Sequence, residues 1–348
     1  MLIVADDLTG AADAAGAFAT AGHPCVVVLN GGPSAAPDLA TNASIVAVDT
    51  NGRTLSEDDA FLATASAVRV HPQRPVFVKI DSTLRGHVRA SIMAVLSALE
   101  TRPARVVVCP AFPARARTVV DAHVHVDGEP LADGSLRTAL SGFPPTAGLF
   151  IPAARNDDEI AGVVRNVHRP DQPDAVLWVG SAGLAAHLAR LVSAPVRAEP
   201  IPRPPANRIA VVVGSQHEAT MRQLAALDSR FQQRMHTQVF HIDPRDDAFL
   251  TQIVPTLRKV DGLVLTGGHT ARVVLDALGI ASFTVGGEVE PGIPWATVTE
   301  PAISLVTTSL VTKSLVTKSL VTKSLVTKAG GFGDDDALRR AVEFLRSA

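Results

Sequence analysis

The sequence is short of several things, and each shortage removes a class of protein. It holds two cysteines in 348 residues. Both, Cys25 and Cys109, sit inside apolar runs, which excludes a disulfide framework and suits reduced, buried thiols in a cytoplasmic protein. No uninterrupted apolar run approaches the ~18 residues of a membrane span, so no membrane contact is expected. The N-terminal MLIVADDLTG meets two carboxylates by its seventh residue without a basic leader, so a signal peptide is not expected. Neither sign of charge is in surplus: 32 basic residues stand against 34 acidic ones, and nucleic acid is not an expected partner. G-x-x-x-x-G-K-[ST] is missing, which excludes a P-loop, and no G-x-G-x-x-G follows the first strand, which weakens a dinucleotide reading. What remains is 47% hydrophobic and 19% charged residues, ordinary globular material for about two domains of roughly 150 residues.

Short β-branched runs alternate with Ala/Leu-rich helical patterns. LIVA (2–5), CVVVL (25–29), SIVAV (44–48), VFVKI (76–80), RVVVC (105–109) and AVLWV (175–179) read as strands, with helices near 10–22, 57–68 and 88–99 between them. All-apolar strands alternating with helices predict a mostly parallel sheet covered on both faces, an α/β fold. SAPVRAEPIPRPPAN (193–207) breaks every period with five prolines and reads as a linker. The alternation restarts at RIAVVVG (208–214). Expected organisation is therefore an N-terminal domain over 1–194, a Pro-rich linker over 195–207 and a C-terminal domain over 208–348. Three aspartates open the expected final helix, DDDALRRAVEFLRSA.

In the first half, chemistry-bearing residues cluster at strand ends, the edge where open α/β sheets bind ligands. ADDLTGA puts Asp6 and Asp7 there, as ligand-binding carboxylates or as caps of the following helix. VKIDSTLRG (78–86) packs Lys79, Asp81, Ser82, Thr83 and Arg85 into seven residues. Fixed cations and hydroxyls suit a small anionic, polyhydroxylated ligand, and a carboxylate among them can orient or deprotonate a hydroxyl. Arg53 follows another strand. CPAFPARART (109–118) presents Arg115 and Arg117 from a Pro-stiffened loop. His123 and His125 alternate on one strand face, too few for a metal site.

In the second half, glycines follow strands three times: Gly214 with Ser215, Gly267–Gly268–His269–Thr270, and Gly330–Gly331–Gly333. One such turn is weak evidence. Three in one domain favour a nucleotide whose phosphates sit on backbone N–H groups and hydroxyls.

In order and spacing, ADDLTGA, KIDSTLRG, PAFP, the turn at Gly214–Ser215, TGGHTA, GGEVEPGIP (286–294) and K-AGGFG resemble the four-carbon acid sugar kinase family over nearly the whole chain. The resemblance implies an N-terminal sugar-acid domain and a C-terminal nucleotide domain, with ATP and Mg2+ as cofactors and D-threonate, D-erythronate or a 3-oxo-tetronate phosphorylated at its terminal hydroxyl. It assigns Asp6 or Asp7, Arg53, Lys79, Asp81 and Ser82 to the small-molecule sugar acid; Thr83 and Arg85 of the same cluster are expected beside them, and Asp7 and Asp81 are the candidate bases. It assigns Ser215, Gly267, Gly268, His269, Thr270, Gly287, Gly330 and Gly331 to the nucleotide. A homodimer is compatible with it. His269 stands where the family usually carries an acidic residue, Ala116 where glycine is usual, and Ala329 where serine is usual. A catalytically impaired homologue that only binds sugar acid and nucleotide is the alternative reading.

Ahead of AGGFG, the phrase SLVT(T/K) is written five times, over 304–328. Five suits neither regular period. In a strand, equivalent side chains switch face at every unit; in a helix they drift by roughly 140°. A 25-residue strand would be about 85 Å long, too long for this chain. One unit is expected to serve as a strand leading into the glycine turn, and the rest as a tandem duplication inserted beside it.

Overall fold

The structure is a computed structural model that describes residues 1–29, 43–143, 148–168, 171–172, 175–192, 201–301 and 320–347. Side chains at 299–301 and 320–321 are outside that description, as are residues 195–200 of the expected linker and 304–319 of the repeat.

The first half forms seven strands of one sheet: β1 (Leu2–Ala5), β2 (Cys25–Leu29), β3 (Ile45–Asp49), β4 (Val76–Lys79), β5 (Arg105–Cys109), β9 (Leu149–Phe150) and β10 (Val176–Gly180). They lie in the order β2-β3-β1-β4-β10-β5-β9, every pair parallel. β1–β4 and β10 are buried along their whole length, which is why their sequences are continuous apolar runs rather than alternating ones. Between β5 and β9 lies a small antiparallel sheet of β6 (Arg117–Val120), β7 (His123–Val126) and β8 (Glu129–Ser135). The His123 and His125 rings meet edge to face at 5.8 Å on β7, as the alternation suggests.

The second half supplies β11 (Ile209–Val213), β12 (Thr237–His241), β13 (Gly262–Thr266), β14 (Ser282–Glu290), β15 (Ile293–Pro301) and β16 (Leu320–Lys328). β12-β11-β13-β16 is parallel, while β15 and β14 run antiparallel and carry the sheet across to β2. The sheets of the two halves are therefore one sheet of 13 strands, joined at the β2–β14 pair.

The helix Leu8–Thr20 lies at that join. It packs on β2, β3, β14 and β15 and on the helices Ala182–Leu191 and Gly268–Leu278. Every residue from Leu8 to Phe18 is buried, and the Ala/Gly content is what lets so many neighbours approach. Gly16 illustrates the limit: a Cβ there would come within 3.0 Å of Pro294 and 3.1 Å of Glu288. A buried ion pair, Arg272 to Asp49 at 2.9 Å, ties the helix Gly268–Leu278 to β3 of the other half.

The described end of the Pro-rich segment does not bridge the halves. Arg203 stacks on Phe344 at 3.7 Å, Pro204 O accepts from Ser324 Oγ, and Ala206 N donates to Leu345 O. That strip lies against the C-terminal helix Ala337–Arg346. The three aspartates precede this helix rather than fill its first turn, and Asp334 accepts from Arg340 and from Asp336 N.

The repeat yields a strand longer than one unit. β16 takes nine residues, nearly two units, and sits between β13 and β15. The switch of face is visible in its two lysines, both buried. Lys323 Nζ donates to Arg258 O (2.8 Å) and Val260 O (2.5 Å) at one end, while Lys328 Nζ donates to Ala329 O, Gly330 O and Phe332 O at the other. Cys25 and Cys109 are buried free thiols. Among the described residues no helix is long and apolar enough to cross a membrane.

Candidate active site

The C-terminal ends of nine strands converge on one cavity of about 500 Å³. From the first half come the residues after β1, β3, β4, β5 and β10; from the second half, the segments after β11, β12, β13 and β16. Asp7, Arg53, Lys79, Asp81, Ser82, Thr83 and Arg85 face Ser215, Gly267, Gly268, His269, Thr270, Gly330 and Gly331 across it.

The first-half wall is a charge network. Arg53 donates from Nε (3.0 Å) and Nη2 (2.7 Å) to the two oxygens of Asp6, from Nη2 to Asp7 Oδ1 (3.0 Å), and its Nη1 lies 3.7 Å from Asp81 Oδ2. One guanidinium thus braces three carboxylates. Burial lowers the Arg53 pKa, but the adjacent Asp7 and Asp6 outweigh it and hold the charge on. Asp6 does not line the cavity itself; burial raises its pKa, with Arg53 opposing. Asp7 caps the helix Leu8–Thr20: Gly10 N donates to Oδ1 (3.1 Å) and Thr9 Oγ1 to Oδ2 (2.6 Å).

Asp81 is more fully engaged. Oδ1 accepts from Thr83 N (2.9 Å), Thr83 Oγ1 and Arg85 Nε (3.1 Å), and Oδ2 from Arg85 Nη2 (2.6 Å). Burial raises its pKa, but the Arg85 hydrogen bond and the charges of Arg53 and Arg85 hold it well below the ordinary carboxylate range. Lys79 is buried, and Nζ donates to Ile80 O (3.1 Å).

The second-half wall is mostly backbone. Gly267, with φ of 100°, is the N-cap of the helix Gly268–Leu278, whose first N–H groups open toward the cavity. Glycines here leave room for the side chains they face. A Cβ on Gly268 would collide with the Asp7 carboxylate and come within 3.0 Å of Thr9 Oγ1, and a Cβ on Gly330 would meet the Ser215 hydroxyl. The Gly330 turn is held from below by the three bonds of Lys328 and by Thr220 Oγ1, which donates to Gly330 O (2.7 Å). Burial pushes Lys328 down to about 7.

Gly287 lies outside this cavity. It belongs to a bulge between β14 and β15, where a Cβ would come 3.3 Å from Trp295 Nε1. Conversely, the cavity includes residues without a role assigned from the motifs. Arg117 lines it, with Nε buried and unpartnered, while its neighbour Arg115 turns away to Glu290 (3.3 Å) and Pro291 O. Asp13 also lines it, buried, with Oδ1 lacking a hydrogen-bond partner. Burial pushes Asp13 up to about 7; Lys79 and Arg115 oppose the rise, and Glu288 and Asp7 add to it. Its signal in the sequence is slight, a single carboxylate inside the Ala/Gly-rich helix, three residues after Gly10.

A cavity whose one wall carries cations and carboxylates and whose other wall carries glycine turns at strand ends suits an enzyme that joins a small polar acid to a phosphorylated cosubstrate. Comparisons with known proteins match each end of the chain to a different family description. Residues 1–144 match the family description "Sugar-binding N-terminal domain" and residues 245–338 match "Nucleotide-binding C-terminal domain". The chain is 30% identical to the D-threonate kinase of Cupriavidus necator, over 84% of this chain and 89% of the relative. It is 30% identical to the D-threonate kinase of Bordetella bronchiseptica, over 99% and 97%. It is 23% identical to the 3-oxo-tetronate kinase of Brucella melitensis, over 84% and 88%. A solved protein of Haemophilus influenzae shares the fold at a TM-score of 0.67 and 16% identity, covering 99% of this chain and 100% of its own. The chain belongs to the four-carbon acid sugar kinase family, phosphotransferases that act on an alcohol group.

Proposed function

We propose that the protein uses ATP to phosphorylate the terminal 4-hydroxyl of a four-carbon sugar acid, with Asp7 as the base. The observation that carries this reading is the abutment of Asp7 and Gly268: the carboxylate of one wall reaches the glycine at the helix start of the other. A group that must sit between the accepting alcohol and the phosphoryl donor belongs at such a junction. Asp81 has the weaker claim as base, because Arg85, Thr83 and Arg53 occupy its oxygens and hold it ionised.

The remaining roles follow from what each group has left to offer. Arg53 is a brace for Asp6, Asp7 and Asp81 more than a clamp. Lys79, Arg85 and Arg117 are the cations that meet the acid's carboxylate and hydroxyls. Backbone N–H groups at Gly268 and His269, the Ser215 hydroxyl and the Gly330–Gly331 turn hold the triphosphate. Asp7 accepts the hydroxyl proton as the 4-oxygen bonds to the γ-phosphorus and the bond to the β-phosphate oxygen breaks, releasing ADP.

No group of three or more His, Cys, Asp or Glu side chains among the described residues could hold a metal. The donor set therefore fits a Mg2+ held by the nucleotide's own phosphates and water, with the Ser215 and Thr270 hydroxyls as oxygen donors of the wall. Such an ion supplies neutralisation of charge on the phosphates.

The test is ATP consumption by the purified chain with D-threonate, D-erythronate, L-threonate and their 3-oxo forms, with and without Mg2+, and NMR of the product. A 4-phosphate formed from one of these acids is the expected result. Binding of acid and nucleotide without turnover on any of them overturns it.

A further inference from the structure

Asp13 and Lys79 are two opposite charges on the cavity wall, each with unspent hydrogen-bonding capacity. Asp13 is 5% exposed, and its Oδ1 has no partner. Lys79 is 6% exposed, and its three-donor ammonium makes one described bond, to Ile80 O. Gly10 links them: it lies one helical turn before Asp13 on the same face, and a Cβ on it would come within 2.9 Å of Lys79 Nζ. The same Gly10 N donates to Asp7, so the stripe Asp7–Gly10–Asp13 runs inward from the base. A buried carboxylate oxygen left unpaired is costly in an empty cavity, and a ligand that donates to it removes that cost.

We infer that Asp13 and Lys79 together bind the hydroxyl next to the one phosphorylated, so that the site selects a 3-hydroxy acid over the corresponding 3-oxo acid. This deepens the kinase reading and rests on it. An alcohol donates its proton to Asp13 and accepts from Lys79 with its lone pair. A ketone can satisfy Lys79 but has no proton for an Asp13 carboxylate, and leaves that oxygen unpaired. Sites built around a substrate hydroxyl reject analogues lacking the donor strongly, because the loss falls on the protein's own buried group. The raised pKa of Asp13 makes the contrast pH-dependent: the alcohol pairs with either protonation state of the carboxyl and the ketone with the protonated one alone, so the preference for the alcohol grows as pH rises through about 7.

The experiment compares kcat/KM of the full chain for three acids: the better of D-threonate and D-erythronate, the 3-oxo acid, and 2,4-dihydroxybutanoate, which lacks the group at C3. Wild type is expected to prefer the 3-hydroxy acid by about 10²-fold or more. Asp13→Ala should bring the three acids within about tenfold of one another, mostly through KM for the 3-hydroxy acid. Asp13→Asn, whose amide both donates and accepts, should keep the 3-hydroxy acid as a substrate and raise the relative rate on the ketone. Melting temperatures of both variants separate a folding defect from a change of preference, and calorimetric binding of the acids without ATP gives the same ratio independently of turnover. Unchanged ratios in both variants, or equal losses on all three acids, overturn the assignment while leaving the kinase reading intact. A wild-type chain that phosphorylates none of the acids defeats both.

Discussion

The two walls of the cavity do their recognition with different parts of the chain. The first-half wall is made of side chains: three carboxylates on one guanidinium, a fourth carboxylate with one oxygen unpartnered, and lysine and arginine around them. The second-half wall is mostly main chain, with the Ser215 and Thr270 hydroxyls beside glycines whose Cβ would strike Asp7 or Ser215. Side-chain walls discriminate, because each group demands a particular donor or acceptor from its ligand. Main-chain walls accept whatever presents phosphate oxygens. Substrate choice should therefore respond to changes in the first half and nucleotide affinity to changes in the second, with Asp7 and Gly268 the point where the two meet.

Substitutions can break that division in order of size. Asp7→Asn keeps the cap and removes the proposed base, so kcat should fall by roughly 10²–10⁴ with ATP affinity little changed, measured by initial rates and nucleotide titration. Gly268→Ala should lower kcat/KM on the order of 10²-fold, because the added methyl displaces either the helix start or the Asp7 carboxylate. If that variant instead behaves as wild type, the two walls do not meet where the geometry has them. Asp81→Asn loosens Arg85 and Thr83 without touching the proton path, and about a tenfold rise in KM for the acid at near-constant kcat is expected. A kcat collapse equal to that of Asp7→Asn would transfer the base to Asp81.

The smallest effect is on stability. Asp13 keeps its proton to about pH 7 when folded, against 3.8 for the free group. The folded state then binds the extra proton between those values, so this group's contribution is full below pH 4 and lost as pH rises through 7. Asp13→Asn has no such loss. Its melting temperature should exceed that of the wild type by more at pH 8 than at pH 4, read by thermal denaturation at the two values.

Much of the first-half wall was legible in the sequence because its residues are close in the chain. KIDSTLRG carries Lys79, Asp81, Ser82, Thr83 and Arg85 past the end of a single apolar strand, and a reader of periodicity meets them together. The glycine turns were legible for the same reason. Asp13 was not, since a lone carboxylate in an Ala/Gly-rich helix gives no spacing to recognise; its meaning comes from burial against residues 66 positions away. The continuity of the sheet was hidden too. β14 and β15 alternate buried and partly exposed residues around a glycine bulge, so neither resembles the apolar runs that announced the other strands. That bulge explains Gly287, which motif similarity put with the nucleotide and packing put beside Trp295. Brevity misled the reading of β16: one SLVTK unit looked sufficient, and the sheet takes nearly two because β15 is nine residues long.

That strand has an implication for how the chain tolerates change in its own gene. All of β16 is written in copies of one phrase, and its position is fixed from the downstream side by Lys328 on the glycine turn. Losing or gaining a whole copy upstream leaves the same nine letters, LVTKSLVTK, in front of AGGFG. Tandem coding repeats invite such changes in number, and the sequence of the described strand is kept as long as the final two copies survive. A change in copy number upstream would therefore leave the residues paired with β13 and β15 the same in sequence.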